Sequence, residues 1–392
     1  MKKLNCLVVG AGFANKGAYL MLVSVAQQIK QRSYGSHVNL FVSPLIDGVE
    51  ESTQLGFKFV DHPLLHVSHR RFATTLKWGG VIKYFDKKYR GDIDLGEIDI
   101  IFDVTGFGFT DQWGPLPCAN LRELVKYAKK KGIRYILMPQ AFGPFKNPLL
   151  RESITDALSM VDLIFAREEQ SEGYLNSLPS KEFIVHRAPD ITIPLGAANS
   201  QPDNYCCLVP NIRNLDQGKE DWGQRYEEIL IETTCNILDH SHLHISIIVH
   251  DKGDFELAND VIASVPEEQK NRVSVVDEDD PVVLKSYIGN SQFLIGSRFH
   301  AIVGALSCSV PSLALGWSHK YDLLLAEYDL PAFSFTEPSS DIPTRVKTLL
   351  HAEQRQAIRN SLYLKNSKMV QKNEKMWKEI DKIVGCICDL GH

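Results

Sequence analysis

The sequence lacks any apolar run approaching the ~20 residues that a membrane-spanning helix needs, which excludes a helical integral membrane protein. It also lacks a surplus of positive charge. Lys and Arg total 43 against 48 Asp and Glu, a formal net charge of −5. That balance argues against a general nucleic-acid binder or a polybasic membrane binder, and leaves room only for a local basic pocket. Cysteine is sparse and unpatterned: there are 8, and Cys386-x-Cys388 is the one close spacing, with no second pair to answer it. A disulfide framework or structural zinc site is therefore not expected, and the thiols read as reduced, in a cytoplasmic protein. Fixed-period repeats and low-complexity segments are missing as well. The opening Met-Lys-Lys with its apolar run imitates a secretory signal, but Gly12, Asn15, Lys16 and Gly17 break the run, and strand, turn, helix is the better reading.

What the sequence has is regular alternation. With 392 residues, 44% of them hydrophobic, it can fill cores for two domains at about 150 residues each. Short apolar runs predict strands at Leu4–Val9, Asn39–Val42, Ile98–Val104, Arg134–Met138, Leu163–Ala166 and Phe183–His186. Amphipathic helices are predicted between them, at Gly17–Lys30, Cys118–Lys131, Leu149–Met160 and Glu168–Leu178. Gly196–Asn204 (GAANSQPDN) reads as a linker. The alternation then restarts, with strands at Tyr205–Val209, His244–Val249, Val273–Val276, Phe293–Ile295 and Ser312–Leu315, and ends in a long helix over Glu353–Ile387. The expected fold class is α/β, with two Rossmann-like domains facing a cleft: residues 1–195, residues 205–352, and a helix over 353–392 that crosses back onto the first. The stretch Asp61–Asp94 fits neither pattern, and its later, basic and aromatic part, His69–Arg90, reads as an insertion.

Five strand ends carry the residues of interest. Gly10-Ala-Gly-Phe-Ala-Asn15-Lys16-Gly17 joins the first strand to the first helix, and a helix N-terminus there offers N–H groups to an anion. The dinucleotide spacing G-x-G-x-x-G fails at Asn15, and a plain tight turn is the alternative reading. Asp103 ends a buried strand ahead of a Gly-rich loop with Asp111, which suits a sugar or phosphate; Asp103 equally suits a turn cap. Gln140, after the next strand, offers a donor and an acceptor to a sugar hydroxyl. Arg167 stands where a strand passes into a helix, and its planar fork matches carboxylate or phosphate oxygens unless Glu168 or Glu169 takes it.

The fifth strand end is the most informative. In Leu294-Ile-Gly296-Ser297-Arg298-Phe299-His300, a glycine turns the chain and Arg and His open a helix. Arg298 with backbone N–H groups suits an anion, and His300 beside that anion is poised as a general acid; a core histidine is the alternative. Lys320 closes the next strand end, and His250-Asp251 ends another. His242-x-His244 is too weak a pattern for a metal, and none is expected.

Taken in order, GAGFANKGA, PQAFGPF, IFAREEQS, APD and IGSRFHAIVGALSCSVPSLALGWSHKYDLLL resemble the polysaccharide pyruvyl transferase family over nearly the whole chain. The resemblance implies a GT-B-like fold and transfer of pyruvate from phosphoenolpyruvate onto a sugar as a ketal, with no separate cofactor. It implies that Arg167 and Arg298 bind the donor's carboxylate and phosphate and that His300 is the general acid. Asn15, Lys16, Asp111, Gln140 and Lys320 complete the expected substrate contacts. The chain departs from the common family pattern at Asn15-Lys16-Gly17-Ala18, where many members have Asn-x-Gly-Asp, and at Thr105–Phe109, where many carry a run of glycines. The implied partners are phosphoenolpyruvate and a sugar acceptor that is nucleotide-linked, lipid-linked or an oligosaccharide, with peripheral membrane contact left open. A GT-B glycosyltransferase using a nucleotide sugar and a non-catalytic glycan-binding partner are the competing readings.

Overall fold

The computed structural model describes residues 3–13, 15–43, 48–65, 91–179, 182–196, 202–216 and 219–389. The chain divides into two compact units. One comprises Met1–Phe13, Met21–Ile191 and Lys372–His392, the other Ala14–Leu20 and Thr192–Gln371. The division falls at Ile191/Thr192, ahead of the linker read at Gly196–Asn204, most of which lies outside the described residues, as does all of the His69–Arg90 stretch. The turn carrying Asn15 and Lys16 groups with the second unit instead of with residues 1–195.

The first unit holds a seven-stranded sheet ordered β3-β2-β1-β4-β5-β6-β7. Its strands are β1 (Leu4–Val9), β2 (Val38–Val42), β3 (Phe57–Phe59), β4 (Ile100–Asp103), β5 (Arg134–Gln140), β6 (Leu163–Ala166) and β7 (Val185–Arg187). Every pairing is parallel. Parallel strands are covered on both faces, and the residues of β4 (IIFD) are accordingly all buried. The helices are α1 (Lys16–Gln31), which groups with this unit from Met21 onward, α2 (Val49–Gln54), α3 (Leu116–Lys131), α4 (Pro148–Leu158) and α5 (Glu169–Asn176). Cys118, Leu121, Val125 and Ala128 are the buried stripe of α3, at helical spacing, and Gly132 ends the helix in the left-handed conformation.

The second unit holds a six-stranded sheet ordered β10-β9-β8-β11-β12-β13. It is again parallel throughout: β8 (Tyr205–Val209), β9 (His244–Ile248), β10 (Val273–Val276), β11 (Leu294–Gly296), β12 (Ser312–Leu315) and β13 (Ser334–Phe335). Its helices are α6 (Arg213–Asp216), α7 (Lys219–His240), α8 (Phe255–Ala263), α9 (Pro281–Gly289), α10 (Phe299–Ser307), α11 (Lys320–Glu327) and α12 (Ile342–Leu350). Last comes α13 (Ala352–Asp389), whose residues to Gln371 group with the second unit and from Lys372 onward with the first.

Within the first unit, the later part of α13 packs by aromatic and ionic contacts. Trp377 is buried, with the Arg32 guanidinium 4.8 Å from its ring and Phe102 at 6.2 Å. Tyr34 donates its hydroxyl to Asp381 at 2.8 Å.

In each sheet the strand order reverses beside the first strand of the unit, at β1/β4 and at β8/β11. Ligands of doubly wound sheets bind outside the carboxyl ends at such a switch point. The cysteines whose surroundings are described are free thiols, and among the described residues no helix is long and apolar enough to cross a membrane.

Candidate functional site

The carboxyl ends of β8, β9 and β11 bring the second unit's chemistry together. β11 ends at Gly296, and the turn that follows is held from several sides. Asn211 Nδ2 donates to the Ser297 carbonyl at 2.8 Å, Tyr321 Oη to the same carbonyl at 2.6 Å, and Tyr226 Oη to Ser297 Oγ at 2.6 Å. Tyr226, Tyr321 and Ser297 are all buried, so these bonds form without competing water and fix where Arg298 leaves the strand.

Arg298 is itself buried, 9% exposed, and its fork is engaged by Asp254: Nε donates to Oδ2 at 2.8 Å and Nη2 to Oδ1. Asp251 faces Nη1 at 3.6 Å. His300, two residues on, lies in the first turn of α10, a helix without a side-chain cap.

The turn before α1 joins this cluster. Asn15 Oδ1 accepts from the backbone N–H of Gly17 at 3.0 Å and of Ala18 at 3.2 Å, a side-chain N-cap. Asn15 Oδ1 therefore occupies helix-start donors that could meet an anion, while its Nδ2 donates to Asp251 Oδ2 at 3.4 Å. Lys16 follows, 6% exposed, with Nζ 2.8 Å from Asp279. Asp279 is 95% exposed, so that pair is solvent-screened and of little stabilising value. Gly17 is required by proximity: a Cβ there would lie 2.3 Å from His300 Nδ1.

Lys16, His250, Lys285 and His300 line a small cavity closed by Leu20, Leu284 and Ala301. Its volume is about 10 Å³, room for one water and no larger ligand. His250, 6% exposed, is held well below the ordinary imidazole range, first by burial and then by the positive charges of Arg298, His300 and Lys16. Lys285 is buried and donates to the carbonyl oxygens of Thr192 (2.6 Å) and Ile193 (3.4 Å). A larger groove of about 520 Å³, between α7 and the Pro338–Val346 segment, carries no strand-end residue, so volume alone does not locate the chemistry.

Lys320 opens α11 with Nζ 4.8 Å from the Trp317 ring, 5.3 Å from Tyr321 and 5.7 Å from Phe299. It is a cation held over aromatic faces, next to the His300 turn.

The first unit presents its own strand ends. At β1/β4 a Cβ on Gly10, which has φ +80°, would lie 2.3 Å from Thr105 Oγ1, so the close approach of these two loops requires glycine. Asp103 is buried; it accepts from Thr105 N at 3.0 Å and from Tyr135 Oη at 2.8 Å, and burial raises its carboxyl above the ordinary range. Of the two readings of Asp103, the turn cap is the one with visible partners. Asp111 likewise accepts from the backbone N–H of Lys146 (3.0 Å) and Asn147 (2.8 Å), so both oxygens brace the loop after β5. Arg167, 6% exposed, donates to Asp190 at 3.3 Å and has Glu168 at 3.8 Å; Glu169 pairs with Arg187 instead. Gln140, at the end of β5, is fully buried with neither amide atom hydrogen-bonded, an arrangement that costs free energy unless a ligand or water meets it.

The structure thus brings Asn15, Lys16, Arg298 and His300 into one cluster in the second unit, with Lys320 on the helix after β12. Asp111, Gln140 and Arg167 lie at strand ends of the first unit. Sequence reading did not single out Asp254, Asp279 or Lys285. Asp254 had a local signal, the Asp251-x-x-Asp254 capping box around Lys252–Asp254. Among the described residues no three His, Cys, Asp or Glu side chains gather as metal ligands.

Solved structures resemble this chain in fold at low sequence identity. HepE from Anabaena, in complex with UDP and glucose, superposes with a TM-score of 0.57 at 13% identity over 97% of this chain and 99% of its own. MnaA from S. aureus, in complex with UDP, gives 0.58 at 12% over 98% and 97%. A glycosyltransferase from Rickettsia africae ESF-5 gives 0.53 at 12% over 97% and 100%. These likenesses establish a two-unit α/β fold of the GT-B kind. No curated protein sequence matches the chain significantly. The pattern of the family described as polysaccharide pyruvyl transferase matches residues 15–319. That span runs from the Asn15 cap through Arg167 to the Arg298–His300 turn, and on it the chain, a transferase, belongs to the polysaccharide pyruvyl transferase family.

Proposed function

We propose that this transferase moves the pyruvyl group of phosphoenolpyruvate onto two hydroxyls of a sugar, forming a pyruvate ketal in polysaccharide or glycan biosynthesis. The observation that carries the reading is the gathering of Lys16, Arg298 and His300 at the carboxyl ends of the second unit's strands, beside the switch point of its sheet. Cationic side chains gathered at strand ends match a small, multiply charged anion, and phosphoenolpyruvate carries a carboxylate and a phosphate.

The chemistry follows from the donor. His300, as imidazolium, gives its proton to the methylene carbon of the enol phosphate, and the adjoining carbon becomes oxocarbenium-like. A sugar hydroxyl attacks that carbon and loses its proton, phosphate leaves with the C–O bonding pair, and a second hydroxyl closes the ring with loss of another proton. Arg298 holds anionic oxygens through this sequence, and Lys16 exchanges the exposed Asp279 for the donor. Arg167, by the family resemblance, contributes a second guanidinium to donor binding, and Gln140 and Lys320 are substrate contacts. The acceptor is a nucleotide-linked sugar, a lipid-linked sugar or an oligosaccharide.

The test is purified protein with phosphoenolpyruvate and a panel of those acceptors, read as acceptor-dependent release of inorganic phosphate. Absence of both phosphate release and donor binding would overturn the reading. Stabilisation against heat by UDP but not by phosphoenolpyruvate would favour a glycosyltransferase using a nucleotide sugar instead.

A further inference from the structure

Asp254 is the most completely engaged carboxylate of the second unit's site. It has 0% exposure and ends the short turn Lys252–Asp254 after β9. Oδ2 accepts from Arg298 Nε at 2.8 Å and from Asp251 N at 3.2 Å; Oδ1 accepts from Arg298 Nη2 and from Ile212 N at 3.1 Å. The two backbone donors come from different loops, after β9 and after β8, so the carboxylate cannot swing with the arginine.

The pair is not explained by stability. Two charges removed from water lose hydration that their attraction only partly restores, and an apolar pair of the same volume often serves as well. What a bidentate pair supplies is direction. With Nε and Nη2 taken, the guanidinium plane of Arg298 is set, and Nη1 is the nitrogen left outside the clamp, facing Asp251 at 3.6 Å. Asp251 is about one-third exposed, and the same Oδ2 also accepts from Asn15 Nδ2 at 3.4 Å.

We propose that Asp254 is a positioning residue for the donor anion, locking Arg298 so that Nη1 is presented to an incoming carboxylate or phosphate oxygen. The inference rests on the reading of Arg298 as a donor ligand and adds the residue that aims it.

The experiment compares wild type, Asp254→Asn, Arg298→Met and the double variant. Circular dichroism checks the fold, and the KM for phosphoenolpyruvate, the KM for the acceptor and kcat are measured alongside calorimetric affinity for inorganic phosphate. Asp254→Asn is expected to raise the phosphoenolpyruvate KM about tenfold or more and to weaken phosphate binding in parallel, with the acceptor KM unchanged. Because Asp254 acts through Arg298, the double variant is expected to be no worse than Arg298→Met alone. If Asp254→Asn does not fold, the double variant, which leaves no unpaired buried charge, still decides: a phosphoenolpyruvate KM further raised about tenfold over folded Arg298→Met overturns the proposal, and where Arg298→Met does not fold either, phosphate affinity of the double variant equal to wild type overturns it. An unchanged phosphoenolpyruvate KM in folded Asp254→Asn overturns it too. Should wild type neither bind nor turn over phosphoenolpyruvate, the proposed function fails separately, and phosphate affinity decides for Asp254. Equal affinity in wild type and Asp254→Asn, or none in wild type, overturns the positioning role.

Discussion

His300 sets its ring against Gly17 so closely that a Cβ on Gly17 would lie 2.3 Å from Nδ1 and 2.7 Å from Cγ. The proposed acid on α10 is therefore seated by the first turn of α1, and that turn starts where Asn15 caps it. A residue with no apparent chemistry and a residue with the central chemistry are placed by one contact.

Gly17→Ala tests the contact. The methyl group must displace the imidazole, and kcat is expected to fall about 10- to 100-fold, as it does when a reacting group is misplaced by an ångström. Stability is expected to fall by about 1–3 kcal/mol, the usual cost of forcing a methyl group into a closely packed contact. Steady-state rates beside thermal melts check both halves, and an unaltered kcat would count against His300 as the acid.

His300→Gln removes the proton donor while keeping polarity and approximate size. The expected loss in kcat is about 10²- to 10⁴-fold, the usual contribution of a positioned acid. Calorimetry with phosphoenolpyruvate is expected to show binding within a few-fold of wild type, which separates loss of chemistry from loss of the site.

Asp251→Asn is expected to act in the opposite direction from Asp254→Asn. Asp251 Oδ2 lies 3.6 Å from Arg298 Nη1, so its charge competes with an incoming anion, while Oδ1 caps Gly253 N–H, a duty asparagine also performs. Removing the charge is expected to lower the phosphoenolpyruvate KM by roughly two- to fivefold, from Coulomb energies at a partly exposed site. A raised KM would show that Asp251 supports donor binding.

His250 gives the chain an acid sensitivity with a defined sign. Its folded imidazole is held well below the ordinary 6.5 by burial and by Arg298, His300 and Lys16. As pH falls below 6.5 the unfolded chain takes up the proton and the folded chain does not, so this contribution to stability is present above 6.5 and lost as pH drops. The slope for one such group is at most about 1.4 kcal/mol per pH unit. His250→Asn is expected to remove that slope from urea-unfolding free energies measured between about pH 7 and pH 5.5. Parallel curves for the two proteins would contradict it.

Much of the fold was legible because both sheets are parallel and buried on both faces. Strands such as Leu4–Val9, Tyr205–Val209 and Ser312–Leu315 are mostly apolar runs, and they fall where the runs predict. α2 and β3 were not foreseen: Val49–Gln54 is one polar, acidic turn and a half, and Phe57–Phe59 is too short to show a period. The Arg298–His300 turn was legible from its strand–glycine–helix setting.

Its partners were not. Asp254 lies 44 positions from Arg298, and Gly17 meets His300 only because the turn before α1 groups with the second unit. Asn15 and Asp111 were read as ligand contacts, yet their side-chain oxygens accept from backbone N–H groups nearby in the fold, a duty short polar side chains perform often. The parallel crossovers that carry such pairings leave no periodic trace in sequence.

The central claim is that the donor's methylene carbon takes a proton at the His300 centre and the pyruvyl group is transferred as a ketal. It is tested most directly by running the reaction with phosphoenolpyruvate and acceptor in deuterium oxide and weighing the sugar product. The expected product carries a pyruvate ketal whose methyl group holds one solvent deuterium, and it forms at a rate lowered by His300→Gln. A product retaining the unprotonated methylene as an enol ether, or no pyruvylated sugar from any acceptor, would contradict the claim.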